Sequence, residues 1–134
     1  MTVGLEASLP HRPPFLFLDQ LERVDAQHAV GLFHFPKKGS SLALTMFPEL
    51  AVIEAATQAA AAWANVGSDP QGVRLASIEQ ARFIRQPKPG DAVHIDLSIV
   101  KEFAGLRMVE GRLRCGAEEI GHVRFSVFDG RSLT

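Results

Sequence analysis

The stretch that decides the fold is residues 48–66, PELAVIEAATQAAAAWANV. Nearly every residue after Pro48 favours a helix, and proline is tolerated in a first turn. Residues 67–70, which contain a glycine and an Asp-Pro pair, supply a stop. The sequence therefore predicts one long helix from Pro48 to Val66.

This predicted helix lacks a polar face. After Glu49, whose charge suits the start of a helix, Glu54 is its only ionisable side chain. A helix that is apolar all round is normally enclosed, and the alanines from 55 to 64 permit the close approach of a sheet. Glu54 is then a carboxylate in largely apolar surroundings. Thr57 and Gln58 follow it by three and four residues and so share its face.

The rest of the chain predicts an antiparallel sheet. Apolar and polar residues alternate over 93–99, 106–115 and 123–127, as they do in strands with one wet face. Further strands are expected over 73–86 and over 21–35. Together with the helix, this pattern predicts an α+β domain with about five strands, and residues 1–134 show no linker that divides them.

Composition narrows the class of function. A chain of 134 residues suits one domain, and a net charge of -1 gives no field for nucleic acid or for an acidic membrane surface. The single cysteine, Cys115, suits a reducing compartment, and no apolar run is long enough for a signal peptide or a bilayer span. We therefore expect a cytoplasmic protein. No metal-ligand spacing, GxGxxG or phosphate loop is present, so neither a metal nor a cofactor is predicted.

Three stretches carry a family resemblance. LPHRPPFLFLD at 9–19, PELAVIEAATQAA at 48–60 and ARFIRQPKPGD at 81–91 resemble, in the same order, signature stretches of the hotdog-fold 3-hydroxyacyl-(acyl-carrier-protein) dehydratases of fatty-acid synthesis. The resemblance implies a sheet wrapped around the long helix and a homodimer that joins two sheets into one. It also implies an acyl thioester of acyl carrier protein or coenzyme A as the substrate.

The resemblance also implies the site residues. In the family a glutamate and a histidine from different subunits share the chemistry, and the glutamate maps onto Glu54. The backbone N–H groups of Glu49 and Leu50, which follow Pro48, match the family's oxyanion-binding position. Gln58 is expected to orient Glu54 or to bind a thioester amide.

The family's histidine lies in a loop that reads roughly GHFPG. Here His34 begins a literal HFP, but it stands twenty residues before Glu54, farther than in the family, and it lacks the flanking glycines. In one alignment His34 is the catalytic base and an insertion follows it; in the other it is a strand residue and the catalytic loop is shortened. The short span from Asp19 to Pro48 favours the second alignment.

Other interpretations stay open. Glu54 can act alone in an acyl-thioester hydrolase, or the chain can be a non-catalytic partner of acyl carrier protein or of an active homologue. Glu54 can also simply pair with Arg82 or Arg85. His11, set among prolines, is expected to hold a loop. The basic residues considered for an acidic carrier protein are Lys37, Lys38, Arg82, Arg85 and Lys88.

Overall fold

The computed structural model describes residues 1–35, 47–66 and 72–130. In these ranges the helices are α1 (Leu5–Ser8) and α2 (Pro48–Ala64), and the strands are β1 (Gln20–Arg23), β2 (His28–His34), β3 (Val73–Phe83), β4 (Ala92–Phe103), β5 (Leu106–Cys115) and β6 (Glu118–Asp129). The strands form one antiparallel sheet in the order β1-β2-β4-β5-β6-β3. The predicted α+β class is confirmed.

The sheet has six strands rather than about five, because the segment expected as one strand over 21–35 is a hairpin. The Asp25 carboxylate accepts the Gln27 N–H at 2.7 Å, and the Val24 N–H donates to the His28 carbonyl at 3.0 Å. An aspartate that binds the backbone two residues on closes a tight turn without glycine or proline. β1 and β2 therefore pair with each other, and β2 also pairs with β4.

The sheet curves around α2. This helix contacts at least five of the six strands, including both edge strands β1 and β3. Six strands about 4.8 Å apart span roughly 24 Å, about twice the diameter of a helix with its side chains. A flat sheet therefore cannot reach α2 with both edges. This wrapped arrangement is the hotdog fold that the family resemblance implies.

The alanines of α2 permit a close contact with the sheet. A Cβ placed on Gly31 of β2 would lie 3.1 Å from the Cβ of Ala59. The helix ends at Ala64, two residues before the predicted end, and the Asn65 side chain donates to the Ser8 carbonyl at 3.1 Å. The glycine and proline expected to stop it lie outside the described residues. Within the described ranges, no helix is both long and apolar enough to cross a lipid bilayer.

One face of α2 is open. Leu50 is exposed, and Ile53, Glu54, Thr57 and Ala61 are partly exposed, whereas the residues between them are mostly buried. The spacing of these five residues, which we call the open stripe, places them along one side of the helix. The predicted enclosure on all sides is therefore incomplete within one chain.

Gly121 of β6 pairs with Phe83 of β3 and leaves no room for a side chain. A Cβ at Gly121 would clash with the Arg82 carbonyl oxygen, a backbone atom that cannot rotate away. We expect Gly121→Ala to lower the free energy of unfolding by about 2 kcal/mol or more, as measured by urea unfolding at fixed protein concentration. Gly4→Ala is the control, since nothing lies within 4 Å of its added Cβ. Equal stabilities of the two variants would contradict the clash.

Candidate active site

Glu54 lies in a cavity between α2 and the edge strand β3. The cavity has a volume of about 300 Å³, and the side chain of Glu54 is 41% exposed. Its lining consists of His11, Glu54, Thr57, Gln58, Ala61, Val73, Arg74, Leu75 and Val127. The charged or titratable groups on this wall are therefore one histidine, one glutamate and one arginine. Across the part of the chain that the structure describes, no group of three or more His, Cys, Asp or Glu side chains is placed to hold a metal ion.

Gln58 holds Glu54 and the N-terminal segment together. Its Nε2 donates to the Glu54 Oε1 at 2.9 Å and to the Phe15 carbonyl at 2.8 Å. Its Oε1 accepts the N–H groups of Phe17 at 2.9 Å and Leu18 at 3.2 Å. Gln58 is only 1% exposed, and these four bonds use both amide hydrogens and the carbonyl oxygen. The amide orientation is fixed, so Glu54 Oε1 always meets a donor.

We expect Gln58→Leu to destabilise the protein by about 3 kcal/mol, because it removes the acceptor of the buried Phe17 and Leu18 N–H groups and the donor to the Phe15 carbonyl. The measurement is the free energy of unfolding in urea at one protein concentration. Thr57→Val is the matched control on the same turn, since it removes one hydrogen bond, to the Glu54 carbonyl. A loss below 1 kcal/mol for Gln58→Leu would show that the segment does not depend on this amide.

His11 also lies at this site, a placement that the sequence did not predict. Its Nε2 is 3.8 Å from the Glu54 Oε1, and its ring lines the same cavity. The signal for it is the histidine of LPHR within a family stretch, but its proline neighbours favour a loop role. The contact could be found only by knowing that residues 9–19 fold back over α2.

The structure places His34 elsewhere. It ends β2, its backbone N–H donates to Asp19 Oδ2 at 2.7 Å, and its Nδ1 lies 3.1 Å from the same oxygen. The buried positions of β2 are Ala29, Gly31 and Phe33, so His34 occupies the opposite, exposed side of the strand. It does not line the Glu54 cavity. Within one chain the two predicted catalytic residues are therefore not brought together, and a role for His34 stays a prediction.

Groups at the start of α2 already form hydrogen bonds within the chain. Pro48 is its first residue, and the Leu50 N–H donates to the Phe47 carbonyl at 3.0 Å. Leu50 is thus not a free donor in this conformation, because the first turn closes on itself. The Glu49 carboxylate accepts a hydrogen bond from Gln86 Nε2 at 2.9 Å. This bond connects the start of the helix to the loop after β3.

Arg85 forms its ion pairs with carboxylates other than Glu54. Its guanidinium binds Asp91 at 2.9 Å and Glu118 at 3.0 Å, and hydrogen bonds from it hold the pKa values of both carboxyl groups below their usual range. The Asp91 carboxylate also accepts the Lys88 N–H at 2.8 Å. The ARFIRQPKPGD stretch therefore closes its own loop, which is a structural role.

Comparison with known proteins assigns the family. The 3-hydroxyacyl-[acyl-carrier-protein] dehydratase FabZ of Anaeromyxobacter sp. (strain K) is 30% identical over 134 residues, covering 92% of this chain and 86% of its own. The chain belongs to the FabZ dehydratase family. The FabZ protein of Shewanella baltica (strain OS155) is 32% identical and covers 82% of this chain and 83% of its own. No protein-family model matches the chain.

Solved structures confirm the hotdog fold. The ApeI:P dehydratase heterocomplex from Xenorhabdus doucetiae matches with a TM-score of 0.81 at 17% identity, covering 95% of this chain and 91% of that one. The dehydratase domain of RzxB from Pseudomonas fluorescens matches with a TM-score of 0.68 at 14% identity, covering 95% of this chain and 49% of that one. At these identities the likeness describes the fold of this FabZ-family chain.

Proposed function

We propose that this protein removes water from a 3-hydroxyacyl thioester carried by acyl carrier protein, with Glu54 as a catalytic proton carrier. The observation that carries the proposal is that a hydrogen bond fixes the position of the Glu54 carboxylate. Gln58 binds its Oε1, whereas Oε2 makes no hydrogen bond with the described residues and the side chain borders an open cavity. A positioned carboxylate with one free oxygen is suited to give or take a proton.

The reaction needs two proton transfers. A base removes a proton from the α-carbon, the electron pair forms the C2–C3 double bond, and the C3–O bond breaks as an acid protonates the leaving hydroxyl. Hydrogen-bond donors near the thioester oxygen lower the barrier further, and the start of α2 is the family's position for them. Glu54 performs one of the two transfers. The predicted partner for the other is a histidine, with His34 as the sequence candidate.

The cavity wall suits an acyl chain. Ala61, Val73, Leu75 and Val127 supply apolar surface beside Glu54. Burial of methylene groups against such side chains contributes about 0.8 kcal/mol each. The acyl carrier protein or coenzyme A attached to the thioester would then lie outside the cavity.

A homodimer joined through β3 is part of the proposal. β3 lies at one edge of the sheet, and nine of its eleven residues are exposed, including Leu75 and Ile78 at 48% and 46%. A long edge strand with exposed apolar side chains is a template for pairing with another strand. Its Leu75 also borders the Glu54 cavity, so a second copy on this edge would close the cavity.

A second candidate is a subunit that gives Glu54 to a mixed dimer. The observation that favours it is that His34, the sequence candidate for the base, lacks the family's flanking glycines, and its Nδ1 lies 3.1 Å from Asp19 Oδ2. The Xenorhabdus doucetiae ApeI:P protein is a dehydratase heterocomplex, which is a precedent for two different chains in one assembly. In this case a second hotdog chain would supply the histidine.

A mass-spectrometric assay tests the proposal. The purified protein is incubated with 3-hydroxyacyl and saturated acyl thioesters of several chain lengths. Loss of 18 Da, the mass of water, from the hydroxyacyl thioester supports the dehydratase. Free acid would identify a hydrolase that uses Glu54. No product at any length would overturn activity of the chain alone, and addition of a second hotdog protein would then test the mixed dimer.

A further inference from the structure

The N-terminal segment presents an imidazole to Glu54 from a fixed position. The Arg12 guanidinium donates to the carbonyls of Leu9 at 2.7 Å, His11 at 2.8 Å and Glu6 at 3.0 Å, and so clamps the backbone around His11. On the other side, Gln58 anchors the segment from Phe15 onward through three hydrogen bonds, to the Phe15 carbonyl and the N–H groups of Phe17 and Leu18. His11 thus lies between two fixed points, and the side chain cannot move away freely with its backbone.

The two ring nitrogens of His11 have different surroundings. Nδ1 is shielded from solvent and has no hydrogen-bond partner among the described residues, whereas Nε2 faces the Glu54 Oε1 at 3.8 Å. A shielded nitrogen without an acceptor is best left unprotonated, so neutral imidazole carries its proton on Nε2. The Nε2–H then points toward a carboxylate oxygen that already accepts the Gln58 amide.

We infer that His11 is a positioning residue for Glu54: it works with Gln58 to hold Oε1 and so directs Oε2 to the substrate. This inference rests on the proposed function for its kinetic consequences only. The 3.8 Å separation exceeds a hydrogen bond, and such contacts in ligand-free enzymes often tighten when substrate binds. The other charged group on the cavity wall is Arg74, which comes from β3.

Kinetics of two His11 variants provide the first test. His11→Ala removes the donor, and we expect kcat to fall about tenfold with KM nearly unchanged, the effect of one lost hydrogen bond to a charged group. His11→Gln places an amide Nε2 where the imidazole Nε2 stood, and it should recover most of the loss. His28→Ala is the control, because His28 forms a matched pair with Asp25 at 2.9 Å outside the cavity. A change mainly in KM, or no rescue by glutamine, would overturn the inference.

Nuclear magnetic resonance tests the contact without any activity. The chain has five histidines, and the His11 ring signal is assigned as the one missing from His11→Gln. Glu54→Gln should shift this signal and leave the His28 signal in place. No shift would overturn the pairing even in an active enzyme. A shift in a protein that dehydrates no thioester would retain the pairing and reject the proposed function instead.

Discussion

Glu54→Gln is expected to lower the rate of dehydration by about 10²- to 10⁴-fold while the protein stays folded. The amide has the size of the carboxylic acid and can still accept the Gln58 Nε2–H, so the hydrogen bond at 2.9 Å is preserved. It cannot carry a proton between groups, and loss of a general acid or base has an effect of this size. The measurement is the initial rate of enoyl thioester formation, with circular dichroism to show that the fold is retained.

The matched control is Glu119→Gln, which changes the same functional group at an exposed position in β6, away from the cavity. Its rate should stay within twofold of the wild type. A Glu54→Gln enzyme with wild-type turnover would remove Glu54 from the chemistry. In that case Gln58 would be a structural residue that happens to hold a carboxylate.

Ile78→Lys is expected to convert the proposed dimer into a folded monomer. Ile78 is 46% exposed in a single chain, so a lysine there costs little when β3 is free. Between two paired β3 strands the same lysine would be buried without a partner, at a cost of about 3 kcal/mol or more, which weakens the dimer more than a hundredfold. Ile78 does not line the Glu54 cavity, so the change tests assembly and leaves the site residues in place.

Light scattering coupled to size exclusion, at micromolar concentration, gives the result. The wild type should show twice the 14.6 kDa mass of the chain, and Ile78→Lys should show the mass of one chain. Val100→Lys is the control, since Val100 is 49% exposed and belongs to β4. A monomeric wild type, or a variant that remains dimeric, would reject pairing through β3.

The central helix was predictable because its signal is local. Residues 48–64 are good helix formers in sequence, and the proline that opens the helix and Glu54 within it are visible without any knowledge of neighbours. The turn after Val24 was missed for the opposite reason: its closure depends on one Asp25 side chain rather than on glycine or proline. One undetected turn changed the strand count from five to six.

The site was only partly predictable because its contacts join distant parts of the chain. Gln58 and Phe17 are 41 residues apart, and no periodic pattern in the sequence predicts the hydrogen bond between them. The pairing of Glu54 with Gln58 follows from helical spacing, since residues four apart share a face. The approach of His11 depends on how the N-terminal segment packs over α2, and this is decided by tertiary structure alone.

The tight contact between Ala59 and Gly31 also limits how this enzyme can diverge. A larger side chain at either position would meet the opposing element, because a Cβ on Gly31 already comes within 3.1 Å of Ala59. Substitutions that enlarge α2 at this contact are therefore disfavoured. If the cavity binds the acyl chain as proposed, substitutions in the open stripe and β3, where Ala61 and Leu75 border the cavity, would change acyl-chain preference. The Ala59 side of the helix is thus constrained by packing against β2, whereas the open stripe is not constrained by this contact.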